Sequence, residues 1–240
     1  MKSIEELKSN CKNIDDEIIL IDKTENVLPL IDGIINTEKY FNSKYKILWI
    51  LKEPYDGFDK SGNPESEGGD YREWLSENLY EYKKYPTWRR IAYASFGILT
   101  DTAYDDMDDL QKKIDVNDNV FDVIRNIAFI NVKKTPGGKG TTPSTLRNAY
   151  DRYKEILLRQ IKTYDPDIII GGYTLPLFLK DLGLTNLRKT ESELKYYLLN
   201  SKLFIDTYHP SYNSKSDEFQ REYVDGIVSL VKATREKLLI

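Results

Sequence analysis

Four short apolar runs, separated by helix-forming sequence, constrain this chain more than any other feature. They lie at residues 46–51 (KILWIL), 127–132 (IAFINV), 167–171 (DIIIG) and 202–207 (KLFIDT). Each is continuous rather than alternating and rich in β-branched or aromatic residues, the pattern of strands buried on both faces. Helical patterns at 71–82 and 87–98 separate the first two runs. Another spans 143–162, with Thr142 placed to cap it and Pro143 at its first position. Further helical patterns cover 174–182 and 217–239. Strands alternating with helices predict an α/β fold, a three-layer α/β/α sandwich around a four-stranded parallel sheet. Residues 196–199 read either as a hairpin arm, turning at Asn200-Ser201 onto the last run, or as a helix end. Residues 1–43 read as a helical N-terminal extension and 44–240 as the domain proper. The most loop-like stretch is 56–70 (DGFDKSGNPESEGGD).

Composition narrows the chemistry. The 240 residues, 40% apolar, suffice for a sizeable core, and the longest clean apolar run is too short to cross a bilayer. The opening MKSIEEL lacks the apolar centre of a secretion signal, so a cytoplasmic placement is expected. One cysteine (Cys11) and one histidine (His209) leave no intramolecular disulfide, no four-cysteine cluster and too few ligands for a His/Cys zinc site. Cys11, in an amphipathic stretch, reads as a small buried side chain. The net charge of −4 is unevenly spread. Residues 101–126 carry eight aspartates against Lys112, Lys113 and Arg125; residues 131–163 carry eight Lys and Arg against Asp151 and Glu155. Such runs are usually solvated faces, but a basic strip also suits a nucleic-acid backbone.

Ligands of open parallel sheets bind at the carboxyl ends of the strands. The first run is followed by Lys52-Glu53-Pro54-Tyr55-Asp56, the second ends near Asn131 and leads into Lys133-Lys134, the third ends in Gly171-Gly172, and the fourth runs into Tyr208-His209-Pro210-Ser211-Tyr212. A carboxylate pair, an amide, a Gly-Gly opening and the only imidazole therefore converge on one rim. Each has a bland reading: Glu53 as a helix-capping loop carboxylate, Asn131 as a locally bonded turn residue, Gly171-Gly172 as a tight turn, His209 as a structural ring. An amide in a buried strand nonetheless needs partners, and the convergence favours a site.

In order and spacing these motifs resemble the uracil-DNA glycosylase superfamily. Glu53-Pro54-Tyr55-Asp56 is similar to the first motif of that family, Phe129–Pro136 (FINVKKTP) to its Asn-bearing strand, residues 166–172 (PDIIIGG) to its third strand, and Tyr208–Ser211 to its closing His-Pro-Ser motif. The likeness runs from about residue 44 to the C-terminus. Leu51-Lys52 replaces the usual opening glycine, Asp56 stands where the uracil-specific branch has histidine, and Tyr212 follows where proline is common.

The resemblance implies a cofactor-free, metal-free DNA glycosylase, acting as a monomer on a base flipped from single- or double-stranded DNA. Glu53 would orient water, and His209 would stabilise the departing base. Tyr55, Asp56, Phe58 (with Tyr71 as its rival) and Asn131 would line the base pocket. Lys133, Lys134, Lys139, Gly172 and Ser211 would hold phosphates, and Tyr212 would fill the gap left by the base. Two other readings remain open: a non-catalytic nucleic-acid-binding module, and a magnesium-dependent nucleotide hydrolase using Glu53 and Asp56. The stretch Gly137-Gly138-Lys139-Gly140-Thr141 lacks the residue order of a phosphate-binding P-loop. Cys11 lies outside the rim, which argues against a Cys–His hydrolase.

Overall fold

The computed structural model of the chain describes residues 3–21, 29–54, 68–107, 118–137, 141–212 and 216–237. In chain order the elements are α1 (Ile4–Ile21), β1 (Leu30–Ile31), β2 (Gly33–Ile34), α2 (Thr37–Phe41), β3 (Ile47–Leu51), β4 (Gly69–Asp70), α3 (Tyr71–Glu77), α4 (Pro86–Thr100), α5 (Asp118–Phe121), β5 (Ala128–Asn131), α6 (Pro143–Tyr164), β6 (Ile168–Gly172), β7 (Arg188–Lys189), β8 (Lys195–Leu199), β9 (Lys202–Thr207) and α7 (Asp217–Thr234).

All four apolar runs form strands, and they lie side by side in parallel in the order β5-β3-β6-β9. Their residues face opposite layers in alternation. Ile47, Trp49 and Leu51 of β3 pack with Ile91 of α4 and Val224 and Ile227 of α7. Leu48 and Ile50 pack with Leu146, Tyr150 and Leu157 of α6 and with Leu7 and Cys11 of α1. Helices thus cover both faces of the sheet, and Cys11 is a buried core residue.

Among the described residues the expected sheet of four strands is one of seven. Antiparallel β2 is added beside β5, and antiparallel β8 and β7 extend the other edge beyond β9. β2 and β7 are two residues each, too short for any periodicity to register in the sequence. β8 resolves the open choice as a hairpin: Asn200 (φ 49°) and Ser201 (φ 59°) both take the left-handed conformation of a two-residue turn matched to strand twist.

The helix pattern at 71–82 breaks at Asn78, whose side-chain amide donates to the Trp74 carbonyl (3.1 Å) and ends α3; a short 3₁₀ helix over Leu79–Lys84 continues. The pattern at 174–182 yields only the 3₁₀ turn Leu175–Leu177. Thr142 caps α6 as expected, accepting from the Thr145 N–H at 3.2 Å.

Residues 3–21 and 29–43 do more than extend the domain. α1 packs on α6, Ile14 and Ile18 bury against Ile156, and β2 is a strand of the main sheet. Among the described residues no helix is long and apolar enough to cross a membrane.

Candidate active site

The carboxyl ends of β3, β5, β6 and β9 share one rim, because the four strands are parallel. The chain leaving β5 continues alongside the chain leaving β3 in the same direction. Val132 N–H donates to the Leu51 carbonyl, Lys133 N–H to Lys52 and Gly137 N–H to Pro54, each at 2.9 Å. This pairing sets Glu53 against Gly137. A Cβ on Gly137 would run into the end of the Glu53 side chain, so any larger residue there would displace the carboxylate. Lys133 Nζ lies 3.5 Å from Glu53 Oε2, and the Thr141 hydroxyl donates to Oε1. Burial pushes the Glu53 carboxyl above its usual range, while Lys133 and Lys52 pull it back. It is a carboxylate held out of bulk water with cations beside it.

His209 sits at the end of β9. Ser211 points its backbone N–H (3.3 Å) and hydroxyl (2.9 Å) at Nδ1. An N–H donor at Nδ1 requires a lone pair there, so the ring proton resides on Nε2. Burial, reinforced by the charge of Lys52, pushes the imidazole down to about 4. The ring is therefore neutral at pH 7 and presents Nε2–H as a donor.

The loop bearing it is clamped. Buried Arg90 of α4 donates from one nitrogen to the carbonyls of Pro210 (2.9 Å) and Tyr212, and its guanidinium lies against Phe219 and Tyr223 of α7. Tyr223 hydroxyl donates to the Tyr208 carbonyl (3.0 Å), and Tyr212 N–H to the His209 carbonyl (2.8 Å). Below the loop, a Cβ on Gly172 would come within 2.9 Å of Pro210 Cδ.

Several expected roles change. Lys134 is fully buried and cannot reach a phosphate: its ammonium bonds Asp32 Oδ1 (2.7 Å) and Gln160 Oε1 (2.9 Å). Burial pushes Lys134 down, and Asp32 opposes the shift. Asn131 is 2% exposed and is tied through one side-chain N–H to Asp32 Oδ2 (3.3 Å), which also takes its backbone N–H (2.7 Å). Gln160 completes the group, donating to Asp32 (2.9 Å) and the Tyr164 hydroxyl (3.1 Å). Gly172 is buried under Pro210, and Ser211 is spent on His209, so neither is displayed as a phosphate ligand in this arrangement. Lys133 belongs to the Glu53 cluster, and its ammonium also donates to the Pro136 carbonyl (2.8 Å). Tyr71 packs edge-on to Phe129 and Trp88 in the core cluster rather than on the rim. Tyr55, Asp56, Phe58 and Lys139 lie outside the described residues.

The basic strip is mostly the solvated side of α6. Arg159 pairs with Glu17 of α1, and Arg147 and Arg152 lie over Tyr150 and Tyr153. Among the described residues of the acidic stretch, Asp122 pairs with Lys39 and Arg125, and Asp105 with Arg221.

Four contributors escaped the sequence reading: Asp32, Arg90, Gly137 and Gln160. Asp32 left one signal, a lone carboxylate inside the apolar stretch Leu28–Ile35 (LPLIDGII). Arg90 left a weaker one, a cation on the helix segment WRRIAYASF whose neighbours Ile91, Ala92 and Tyr93 are all buried. No family model matches the chain, and no curated protein matches it.

Proposed function

We propose that this rim hydrolyses the N-glycosidic bond of a uracil or modified pyrimidine nucleotide flipped out of DNA, within a uracil-DNA glycosylase-like fold. The observation that carries the reading is the neutral Nε2–H donor of His209 set on the same rim as the half-buried carboxylate of Glu53. Breaking the bond leaves positive charge on the sugar and negative charge on the base. Glu53 favours the sugar cation and orients the water that adds to the anomeric carbon, taking up its proton. His209 donates to the base oxygen as charge builds there, and a donor oriented beforehand costs little reorganisation in the transition state. Lys52 adds positive potential beside both groups, and Lys133 beside Glu53.

The test is release of free base, followed by mass spectrometry, from oligonucleotides carrying uracil and modified pyrimidines. Glu53→Gln and His209→Ala are each expected to lower the rate by about 10²–10⁴, the usual worth of a general acid or base. Equal release by wild type and both variants sinks the assignment.

One observation favours a second reading. Asn131, the amide that the resemblance assigns to base recognition, donates one of its side-chain N–H groups to Asp32. A nucleic-acid-binding module without base release fits that arrangement, and DNA binding with steep salt dependence but no released base would select it.

A further inference from the structure

Three tyrosines around His209 stand open to solvent: Tyr173 (56% exposed), Tyr208 (51%) and Tyr212 (53%). Their backbones are firmly held. Tyr173, in the left-handed conformation (φ 66°), donates its N–H to the carbonyl of Thr207 at 2.8 Å. The carbonyls of Tyr208 and Tyr212 are taken by Tyr223 and Arg90. Tyr208 and Tyr212 stack face to face, with centroids 4.7 Å apart and planes 13° apart, and Phe219 braces both from the edge. Lys52 Nζ lies 4.6 Å from the Tyr173 ring centroid. Exposed aromatic surface concentrated at a polar rim marks a binding face.

The chemistry of that face is specific. Flat rings offer stacking to a nucleobase, and Lys52 and Lys133 offer charge to its phosphate. In a duplex the base faces are already stacked on one another and only unpaired bases can use such rings. Tyr212 is also ill placed to act as a wedge, since entering a duplex would require breaking its stack with Tyr208. We propose that Tyr173 with Lys52, and the Tyr208–Tyr212 stack, form a platform for unpaired nucleotides flanking the reacting one, so that the substrate is single-stranded nucleic acid. The inference rests on the nucleic-acid reading of the His209 rim and names its strand state.

The full chain is titrated against a fluorescein-labelled oligothymidylate, single-stranded or paired to oligoadenylate, with anisotropy as the readout at one fixed salt concentration. The single strand is expected to bind at least about tenfold more tightly. Each of Tyr173→Ala, Tyr208→Ala and Tyr212→Ala is expected to weaken single-strand binding about tenfold, within the range set by one lost base stack. The matching phenylalanine variants keep the ring and should bind as wild type, with circular dichroism confirming an unchanged fold. Equal or tighter duplex binding, alanine variants that bind normally, or no binding at all overturns the platform. The two proposals fail separately. Tyrosine-dependent single-strand binding without base release leaves the platform standing and removes the glycosylase; base release from duplex alone, indifferent to the tyrosines, does the reverse.

Discussion

His209 is the only imidazole in the chain, so its ring resonances report one environment without assignment. Two donors from Ser211 hold Nδ1 unprotonated, and burial together with Lys52 disfavours the cation. Histidine-selective ¹⁵N NMR is expected to show the Nε2–H tautomer at pH 7 and a midpoint near pH 4. The unfolded ring takes its proton near pH 6.5. Acidification from about 6.5 to about 4 therefore favours the unfolded state, and below that range the effect is complete. The thermal midpoint of wild type should fall more steeply over that interval than that of His209→Gln. A midpoint near 6.5 would remove the argument for a neutral donor. At this scale the sequence was informative about identity: a lone histidine before Pro-Ser was visible. The tautomer was not, because it depends on the turn that brings the Ser211 N–H back onto the ring.

Elements explain why that turn holds. The 208–212 loop is gripped from α4 by Arg90 and from α7 by Tyr223, two helices far apart in the chain that pack against each other on one face of the sheet. Arg90→Lys keeps the charge and loses the flat guanidinium that lies against Phe219 and Tyr223 while one of its nitrogens serves both carbonyls. We expect the His209 midpoint in that variant to rise by about one unit or more toward 6.5, with the thermal midpoint reduced. An unchanged titration would make Arg90 a packing residue only. The strands of the parallel core and the long helices α4, α6 and α7 were legible because periodicity accumulates over many residues. The edge strands β2 and β7 were not, since two residues carry no period and pairing alone defines them. The helix pattern at 71–82 misled because Asn78 ends α3 as its C-cap, its backbone and side-chain N–H both donating to the Trp74 carbonyl, and apolar spacing does not record that stop.

For the molecule as a whole, the buried group around Asp32 joins regions far apart in sequence. It links the strand segment 30–34 to β5 through Asn131, to the following loop through Lys134 and to α6 through Gln160. It thereby places the N-terminal residues inside the cooperative unit and anchors the loop that presents Gly137 to Glu53. Removing one member of a buried ion pair leaves an uncompensated charge, costing about 3–5 kcal/mol. Asp32→Asn should lose stability of that order in urea denaturation, and the double change Asp32→Leu with Lys134→Met should not recover it, because the Asn131 N–H groups and the Gln160 amide then lose their buried acceptor. A single variant as stable as wild type would show that the group is not coupled to folding.

Sequence alone determined the parallel α/β core and the rim on which Glu53 and His209 would meet. Apolar runs buried on both faces leave a chain few other architectures, and parallel strands put their carboxyl ends together. Only the tertiary structure decided which polar residues face that rim. Lys133 and Lys134 are adjacent in the chain, yet one sits beside Glu53 and the other is sealed against Asp32. Asn131 likewise turns to Asp32, one hundred positions earlier within a residue. Direction at the end of a strand is set by the partners that neighbouring segments supply, and those partners are brought there by folding rather than by position in the sequence.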